Sequence, residues 1–129
     1  MLAYCKAFSK NIGHHFTRET IRLSAMTGSA GVEIGGDTTS REFGLNCKTV
    51  TISDIERFKD TRINIVDEAS FASYETLEVL SEKLQAYTEC NAQIYGNIAI
   101  VFIGDFCQLP TMGGNGYMIA RIAFTGNKL

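Results

Sequence analysis

Two apolar segments separated by an amphipathic stretch restrict the fold more than any other feature of the sequence. The segments RINIVDEA (62–69) and NIAIVFIGD (97–105) are rich in Ile and Val without strict alternation. This pattern predicts strands that are covered on both faces of a parallel sheet. Between them, residues 70–90 predict a helix with Ser73 as its N-cap. Its leucines recur at spacings of three and four: Leu77, Leu80 and Leu84. A strand, a long helix and a second strand predict a right-handed βαβ crossover.

The rest of the chain predicts one further strand and shorter helices. TIRLSA (20–25) is expected to be a third strand. MLAYCKAFSKNIG (1–13) is expected to be a helix, and residues 45–61 a loop with a short helix. The sequence therefore predicts an α/β domain that opens on a helix.

Composition excludes several classes of protein. A chain of 129 residues is long enough for one domain with a core, and its 45% hydrophobic and 20% charged residues argue against disorder. The net charge of −2 provides no overall positive field for nucleic acid. No apolar run reaches the roughly 20 residues of a membrane span. The four cysteines form no CxxC pair, so we expect free thiols in a reducing compartment and no zinc site.

Two carboxylates lie at the end of the strand that is predicted within residues 62–69. Asp67 and Glu68 come directly after INIV, and open α/β sheets bind ligands at the carboxyl ends of their strands. One carboxylate of such a pair can hold Mg²⁺, which prefers hard oxygen ligands, and the other can deprotonate an attacking water. The alternative is that two acidic residues only complement the N-terminus of the following helix.

The strand that is predicted within residues 97–105 is also followed by polar residues. Gly104 and Asp105 follow it, and Gln108 comes three residues later. An amide side chain there can donate and accept, which suits contact with a terminal phosphate or an attacking water. Asp105 could hold a loop or a water molecule near the ion. The alternative is a loop with a polar rim.

The glycine-rich stretch SAMTGSAGVEIGG (24–36) has the texture of a phosphate-binding loop. Aligned from Gly28 with the GxxxxGK[ST] pattern, it places Glu33 at the second glycine and Ile34 at the lysine. A carboxylate and an isoleucine there do not suit a triphosphate. We therefore expect a tight turn and a short helix, which either faces nucleic acid or is purely structural.

Three motifs together resemble one family. INIVDEASF resembles the Walker B motif of the PIF-type and RecD-type DNA helicases, VFIGDFCQLP resembles their motif III (GDxxQLPP), and LSAMTGSAGVEIGGDTT resembles their motif Ia. The segments occur in the order and at the spacing of that family, over roughly residues 1–111. The stretch IYGNIAIVFIGDFCQLP is similar to the PIF-type pattern FGGxxxxxxGDFxQLPP, which favours the PIF-type branch. Gly31 departs from the motif Ia pattern, in which alanine is usual, and we expect it to loosen the following helical turn.

The resemblance implies a RecA-like P-loop NTPase fold, a three-layer αβα sandwich with a parallel sheet. Residues 1–129 would form part of motor domain 1A, with motif Ia at 23–38, Walker B at 63–70 and motif III at 101–110. The implied enzyme is an ATP-dependent 5′-to-3′ DNA helicase that acts in DNA repair, recombination or telomere maintenance. By analogy with the family it would be intracellular, in the nucleus or mitochondrion of a eukaryote.

The same resemblance implies roles for single residues. Asp67 would hold Mg²⁺ with Glu68 nearby, Glu68 would be the general base, and Gln108 would sense the γ-phosphate and take part in catalysis. The residues implied to contact the nucleotide are Asp67, Asp105 and Gln108, and those implied to contact single-stranded DNA are Thr27, Gly28 and Thr38. The implied cofactors are ATP and Mg²⁺.

One element of the family is missing from these residues. No GxxxxGK[ST] string occurs in the sequence, and residues 1–13 resemble the helix that follows that loop. We therefore expect an incomplete fold, without the first strand, the Walker A loop and the second motor domain, and with an unpaired apolar edge at IAIVFIG. The chain alone is expected to be inactive as an ATPase. The alternative is a non-catalytic remnant that binds a partner protein or, weakly, single-stranded DNA.

Overall fold

The computed structural model describes Ala7, Lys10 and residues 17–105, and elements are numbered over this part of the chain. The strands are β1 (Ile21–Ala25), β2 (Asp37–Thr38), β3 (Ile63–Asp67) and β4 (Ala99–Phe102). The helices are α1 (Gly28–Glu33), α2 (Thr39–Glu42), α3 (Ile52–Phe58) and α4 (Tyr74–Thr88). Ala7 and Lys10 have helical backbone, and the rest of the helix predicted at 1–13 lies outside the described residues. Within the described ranges, no helix is long and apolar enough to cross a membrane.

The four strands form one parallel sheet in the order β2-β1-β3-β4. The predicted crossover is present, because α4 connects β3 to its parallel neighbour β4. All three predicted strands exist, although β4 is shorter than the segment 97–105. The sequence did not predict β2, whose two residues are too few to show a period.

The core lies between one face of the sheet and helices α3 and α4. Leu77, Leu80 and Leu84 are buried, as predicted for the apolar stripe of α4. The ring of Phe58 in α3 stacks on Tyr87 of α4 with centroids 4.7 Å apart. At the start of α4, the hydroxyl of Ser73 accepts a hydrogen bond from the Thr76 amide at 3.2 Å, which confirms the predicted N-cap.

An ion pair at the edge of this core connects β1 with α2 and α3. The guanidinium of Arg22 in β1 donates to Glu42 at the end of α2, to the hydroxyl of Thr61 at 2.9 Å and to the carbonyl of Arg57. It also lies 4.2 Å from the centroid of the Phe58 ring. The side chains of Arg22 and Glu42 are only 9% and 15% exposed.

A left-handed turn leads into β4. Tyr95, Gly96 and Asn97 have φ angles of 57°, 59° and 65°, which is a rare conformation for three consecutive residues. The turn packs against the C-terminal end of α4, where a Cβ atom on Gly96 would lie 2.2 Å from the Thr88 hydroxyl oxygen. Gly96 corresponds to the first glycine of the FGG pattern, and the close contact with α4 explains why a glycine is needed there.

Strand β4 is at the edge of the described sheet. Within residues 17–105 it pairs only with β3. Val101 and Ile103 are 40% and 45% exposed on the face of the sheet opposite the core. Among the described residues, β4 is therefore an apolar strand at the margin of the sheet.

Candidate nucleotide and nucleic-acid site

The carboxyl ends of the parallel strands bring most of the predicted site residues to one edge of the sheet. The Met26 amide donates to the carbonyl of Asp67 at 3.0 Å, which holds the end of β1 beside the end of β3. On the other side, the Ala69 amide donates to the carbonyl of Ile103 at 2.8 Å. The two segments that follow β3 and β4 are therefore in direct contact.

Asp67 and Glu68 form a strained corner at the end of β3. Glu68 has φ 54° and ψ 36°, the left-handed conformation that non-glycine residues rarely adopt. Its amide donates to Oδ1 of Asp67 at 2.8 Å, which fixes the aspartate against the corner. Strain of this kind costs on the order of 1 kcal/mol and is concentrated at functional sites.

Two polar atoms in this corner are buried and have no hydrogen-bond partner within the part of the chain that the structure describes. They are Oε2 of Glu68 and the hydroxyl oxygen of Ser70, which lies in the short turn Ala69–Phe71 after the strand. A buried carboxylate oxygen needs a donor or a cation, so the corner is chemically incomplete. Sequence reasoning singled out Glu68 but not Ser70, because only the structure shows that this hydroxyl is buried.

The donor set of this corner fits Mg²⁺. Adjacent carboxylates supply hard oxygen ligands, and Mg²⁺ typically takes one or two carboxylates together with phosphate oxygens and water. No group of three or more His, Cys, Asp or Glu side chains suited to a metal occurs among the described residues.

Gly104 allows β4 to meet this corner. A Cβ atom at Gly104 would lie 3.0 Å from the Ala69 amide nitrogen and 3.1 Å from that of Ser70, so a side chain would displace the turn. Asp105 follows at an exposed position. Gln108 and the rest of motif III beyond Asp105 lie outside the described residues, so the predicted roles of Gln108 stay predictions.

The motif Ia residues lie at the same edge, on the β1 and β2 side. The hydroxyl of Thr27 caps α1 by accepting from the Ala30 amide at 3.4 Å, and the hydroxyl of Thr38 caps α2 by accepting from the Arg41 amide at 3.3 Å. Gly28 is exposed, and a Cβ atom added there would have nothing within 4 Å. The turn and short helix expected here are present. The Thr27 hydroxyl also lies 3.4 Å from the Ser29 hydroxyl, and either of the two can be the donor.

Gly31 has a packing role that differs from the one expected. It is buried, and a Cβ atom there would lie 3.0 Å from the carbonyl carbon of Asp37. The expectation that this glycine loosens the helix was incomplete, because its missing side chain lets α1 approach β2. Thr39, after the cap of α2, is also buried and donates to the carbonyl of Ala25 at 3.1 Å.

Positive charge near the motif Ia turns is sparse. Arg22 is buried in its pair with Glu42, and the exposed Arg41 is paired with Asp37 at 3.2 Å. Within the described residues, this edge therefore offers backbone amides and hydroxyls rather than a basic groove. Such groups can bind a phosphate backbone, but with less affinity than a cluster of Lys and Arg.

Comparison with known proteins identifies relatives along nearly the whole chain. A family model described as PIF1-like helicase matches residues 6–128. The ATP-dependent DNA helicase RRM3 of Saccharomyces cerevisiae is 33% identical over 106 residues, which are 74% of this chain and 14% of that protein. The ATP-dependent DNA helicase Pif1 of a Psychrobacter species is 27% identical over 125 residues, which are 86% of this chain and 19% of that protein. The chain thus spans less than a fifth of either relative.

Solved structures agree on the fold. The Pif1 helicase of Candida albicans has a TM-score of 0.63 at 25% identity, over 85% of this chain and 26% of that chain. A Bacteroides Pif1 in complex with ADP-AlF3 and ssDNA has a TM-score of 0.68 at 21% identity, over 92% of this chain and 30% of that chain. The predicted RecA-like α/β fold with a parallel sheet is therefore confirmed.

The family match and the geometry of the sheet edge lead to the same assignment. The family model covers both the acidic corner after β3 and the glycine that follows β4. The resemblance inferred from three short motifs extends, by direct comparison, to almost the whole sequence. The chain belongs to the PIF1-like helicase family.

Proposed function

We propose that this chain forms part of motor domain 1A of an ATP-dependent DNA helicase. The observation that carries the proposal is the acidic corner at the end of β3, where Glu68 keeps one carboxylate oxygen buried and without a partner. A carboxylate in that state, next to a second one at the carboxyl edge of a parallel sheet, suits a nucleotide-hydrolysing site. The names of the relatives, which are ATP-dependent DNA helicases, support the same function.

In this proposal each site residue has a defined role. Asp67 would hold Mg²⁺, and Glu68 would accept a proton from the water that attacks the γ-phosphate. When bound, ATP would provide the phosphoanhydride bond that is hydrolysed, and Mg²⁺ would neutralise charge on its phosphates. Asp105 and Gln108 would contact the nucleotide, and Gln108 would sense its terminal phosphate.

Single-stranded DNA is the proposed partner at the other half of the edge. Thr27, Gly28 and Thr38 would contact its backbone through hydroxyl protons and exposed amides. The two halves are joined through the hydrogen bond from Met26 to Asp67, which connects the DNA side directly to the acidic corner. We further propose 5′-to-3′ movement and a role in DNA repair, recombination or telomere maintenance, for which the family resemblance is the support.

The experiment is a phosphate-release assay on the longest natural polypeptide that contains these residues. We expect turnover stimulated by single-stranded DNA, and we expect Glu68→Gln to lower kcat by about 10²–10⁴-fold, as for loss of a general base. Glu78→Gln, at an exposed position on α4, is the matched control and should leave kcat unchanged. Equal turnover in Glu68→Gln and the unmodified protein would refute the proposed role.

The 129-residue chain on its own is proposed to be inactive. Its sequence has no GxxxxGK[ST] loop to hold the β- and γ-phosphates. In the same assay the isolated chain should release no phosphate above background, with or without DNA. DNA-stimulated turnover that disappears in Glu68→Gln would show that this part of the proposal is wrong.

A second candidate is a non-catalytic module that binds a partner protein or weakly binds single-stranded DNA. It is favoured by the helix-capping role of Thr27 and Thr38 and by the sparse positive charge around them. Anisotropy titrations of the isolated chain with labelled oligo(dT) at low and high salt distinguish a DNA-binding module from a module that binds only a partner protein. Salt-sensitive binding that weakens in Thr38→Ala supports a DNA-binding module, and no binding at low salt leaves only the partner-binding version.

A further inference from the structure

The hydroxyl of Ser70 is an unexplained polar atom in the acidic corner. Its oxygen is buried and makes no hydrogen bond to residues 17–105, although most buried side-chain oxygens have a partner. The residue lies in the turn Ala69–Phe71, two positions after Glu68. Neither the family match nor the roles proposed above assign a function to this side chain.

An unpartnered buried hydroxyl destabilises the folded chain. Water would have hydrogen-bonded the hydroxyl in the unfolded state, and that interaction is lost without replacement. An alanine at this position would keep the backbone of the turn and avoid the loss. A serine that serves only the fold is therefore a poor choice here, and a partner that is present only in a working state accounts for it better.

The corner contains an atom that complements this hydroxyl. Oε2 of Glu68 is also buried and unpartnered, and a carboxylate oxygen can only accept, whereas a serine hydroxyl can donate. Both atoms belong to one short segment. Rotation of the Ser70 side chain between staggered rotamers changes the direction of its hydroxyl without moving the backbone.

The backbone of this segment is held in place from the β4 side. The Ala69 amide donates to the Ile103 carbonyl at 2.8 Å, and Gly104 packs against the amides of Ala69 and Ser70. The turn between the two unpartnered atoms is thus anchored at its centre. Any pairing of the two atoms is therefore expected to come from rotation of the side chains rather than from movement of the turn.

We propose that Ser70 is a positioning residue for the general base. When the nucleotide is bound, the Ser70 hydroxyl donates a hydrogen bond to Oε2 of Glu68. Oε1 of Glu68 is then oriented toward the attacking water and accepts its proton, in the way that a third group orients a catalytic base. This inference rests on the proposed function of Glu68 as the base.

The first test uses the 129-residue chain without any ligand. Because the Ser70 hydroxyl has no partner in this state, Ser70→Ala should leave Tm unchanged or raise it. Ser73→Ala is the matched control three residues away, since the Ser73 hydroxyl caps α4. It should lower Tm by about 3–8 °C. A comparable drop in Ser70→Ala would mean that its hydroxyl supports the fold and would overturn the proposal.

The second test measures ATP turnover in the longest natural polypeptide that contains these residues. Ser70→Ala should lower kcat by about tenfold, the typical effect of losing a group that orients a functional side chain. KM for ATP should stay within a factor of two, because the hydroxyl contacts Glu68 and not the nucleotide. Ser73→Ala, in the same protein, should keep the unmodified kcat.

A double-mutant cycle decides whether Ser70 acts through Glu68. Adding Ser70→Ala to Glu68→Gln should lower kcat no further, because there is no base left to orient. A full additional tenfold loss in that background would show a different partner and overturn the inference. An unmodified protein without DNA-stimulated turnover would refute the proposed function itself, whereas normal turnover in Ser70→Ala would refute only the role of Ser70.

Discussion

Gly96 is a residue whose replacement the described part of the fold tolerates poorly. It has a φ of +59°, and a Cβ atom would lie 2.2 Å from the Thr88 hydroxyl oxygen and 2.4 Å from the Leu84 carbonyl oxygen. Gly96→Ala must therefore displace the backbone at the end of α4 as well as strain its own. We expect it to lower the free energy of unfolding by about 2–4 kcal/mol, measured by urea denaturation followed by circular dichroism.

Gly28 provides the matched control for this prediction. It lies at the start of α1 with nothing within 4 Å of a Cβ position and no positive φ. Gly28→Ala should change the free energy of unfolding by less than about 0.5 kcal/mol, as is usual for exposed positions. Equal effects of the two substitutions would mean that the left-handed turn is not the source of the loss.

Tyr87 gives a residue-level prediction about pH. Burial, and after it the nearby Asp54 carboxylate, raises the pKa of Tyr87 above the usual value of 10.0. A pKa that is higher in the folded state contributes stability that is complete below pH 10 and is lost as the pH rises through the folded value. Unfolding by urea should therefore become easier above about pH 10, partly because Tyr87 ionises.

Tyr87→Phe separates the contribution of this group from other alkaline effects. Its hydroxyl donates to the carbonyl of Phe43 at 2.7 Å, and removing it leaves a buried carbonyl without a donor. We expect a loss of about 1–2 kcal/mol at pH 7 and a weaker decline above pH 10. Tyr74→Phe, at an exposed tyrosine, should change neither value. An identical decline in Tyr87→Phe and the unmodified chain would contradict the assignment to Tyr87.

The sequence predicted where the two acidic candidate residues lie but not the conformation and hydrogen bonding of their side chains. The position of Asp67 and Glu68 at the end of an apolar run was sufficient to predict where they lie. The left-handed backbone of Glu68, its unpartnered oxygen and the buried hydroxyl of Ser70 depend on how the turn meets β4. These contacts join segments more than 30 positions apart, so no local pattern could reveal them.

At the level of elements, long helices and strands were predicted correctly from the sequence, whereas very short ones were missed. Helix α4 spans 15 residues and has the predicted cap and apolar stripe, because four turns provide a clear period. Strand β2 has only two residues, Asp37 and Thr38, and was missed. Strand β4 begins at Ala99, two residues after the start of the predicted segment 97–105, because Asn97 belongs to the left-handed turn that leads into β4.

Three elements are joined by the two ion pairs of Glu42, which gives a prediction at this level. Glu42 at the end of α2 accepts hydrogen bonds from Arg22 of β1 and from Arg57 of α3. Glu42→Ala would leave the guanidinium of Arg22, only 9% exposed, without its carboxylate. Because a nearly buried charge without a partner is unfavourable, we expect a loss of about 2–4 kcal/mol in the free energy of unfolding.

An exposed ion pair in the same region serves as the control. Lys59 and Glu56 are paired on the surface, with side chains 54% and 68% exposed. Glu56→Ala should cost less than about 1 kcal/mol, and 0.5 M salt should remove most of that effect. Urea denaturation of both variants at two salt concentrations is the measurement. A Glu42→Ala loss as small as that of Glu56→Ala would show that the Arg22 network does not hold the three elements together.

At the scale of the molecule, the strand order divides the functional edge into two halves. Strands β2 and β1 end in the motif Ia turns, and strands β3 and β4 end in the acidic corner and Gly104. Strands β1 and β3 are neighbours, and the hydrogen bond from the Met26 amide to the Asp67 carbonyl directly links the proposed DNA side to the proposed nucleotide side. A parallel sheet with this order therefore joins the two proposed sites through one element.

The outer edge of the same sheet predicts how the isolated chain behaves in solution. Ala99 and Ile103 donate their amides to the β3 segment, and the alternation of a strand directs the backbone groups of Ile100 and Phe102 away from it. Within residues 17–105 no strand accepts these groups, and Val101 is 40% exposed beside them. We expect the 129-residue chain to self-associate as its concentration rises, because exposed apolar edges pair with other strands.

Val101→Lys tests this edge directly. A charge on the strand opposes edge pairing, while the side chain can reach solvent from its partly exposed position. Sedimentation velocity from low to high micromolar concentration should show a concentration-dependent increase in mass for the unmodified chain and a monomer for Val101→Lys. Ile52→Lys, at an 86% exposed position on α3, adds the same charge away from the edge and should leave the association intact. If both variants become monomeric, net charge rather than β4 controls the association, and if the unmodified chain stays monomeric throughout, the edge is not available for pairing.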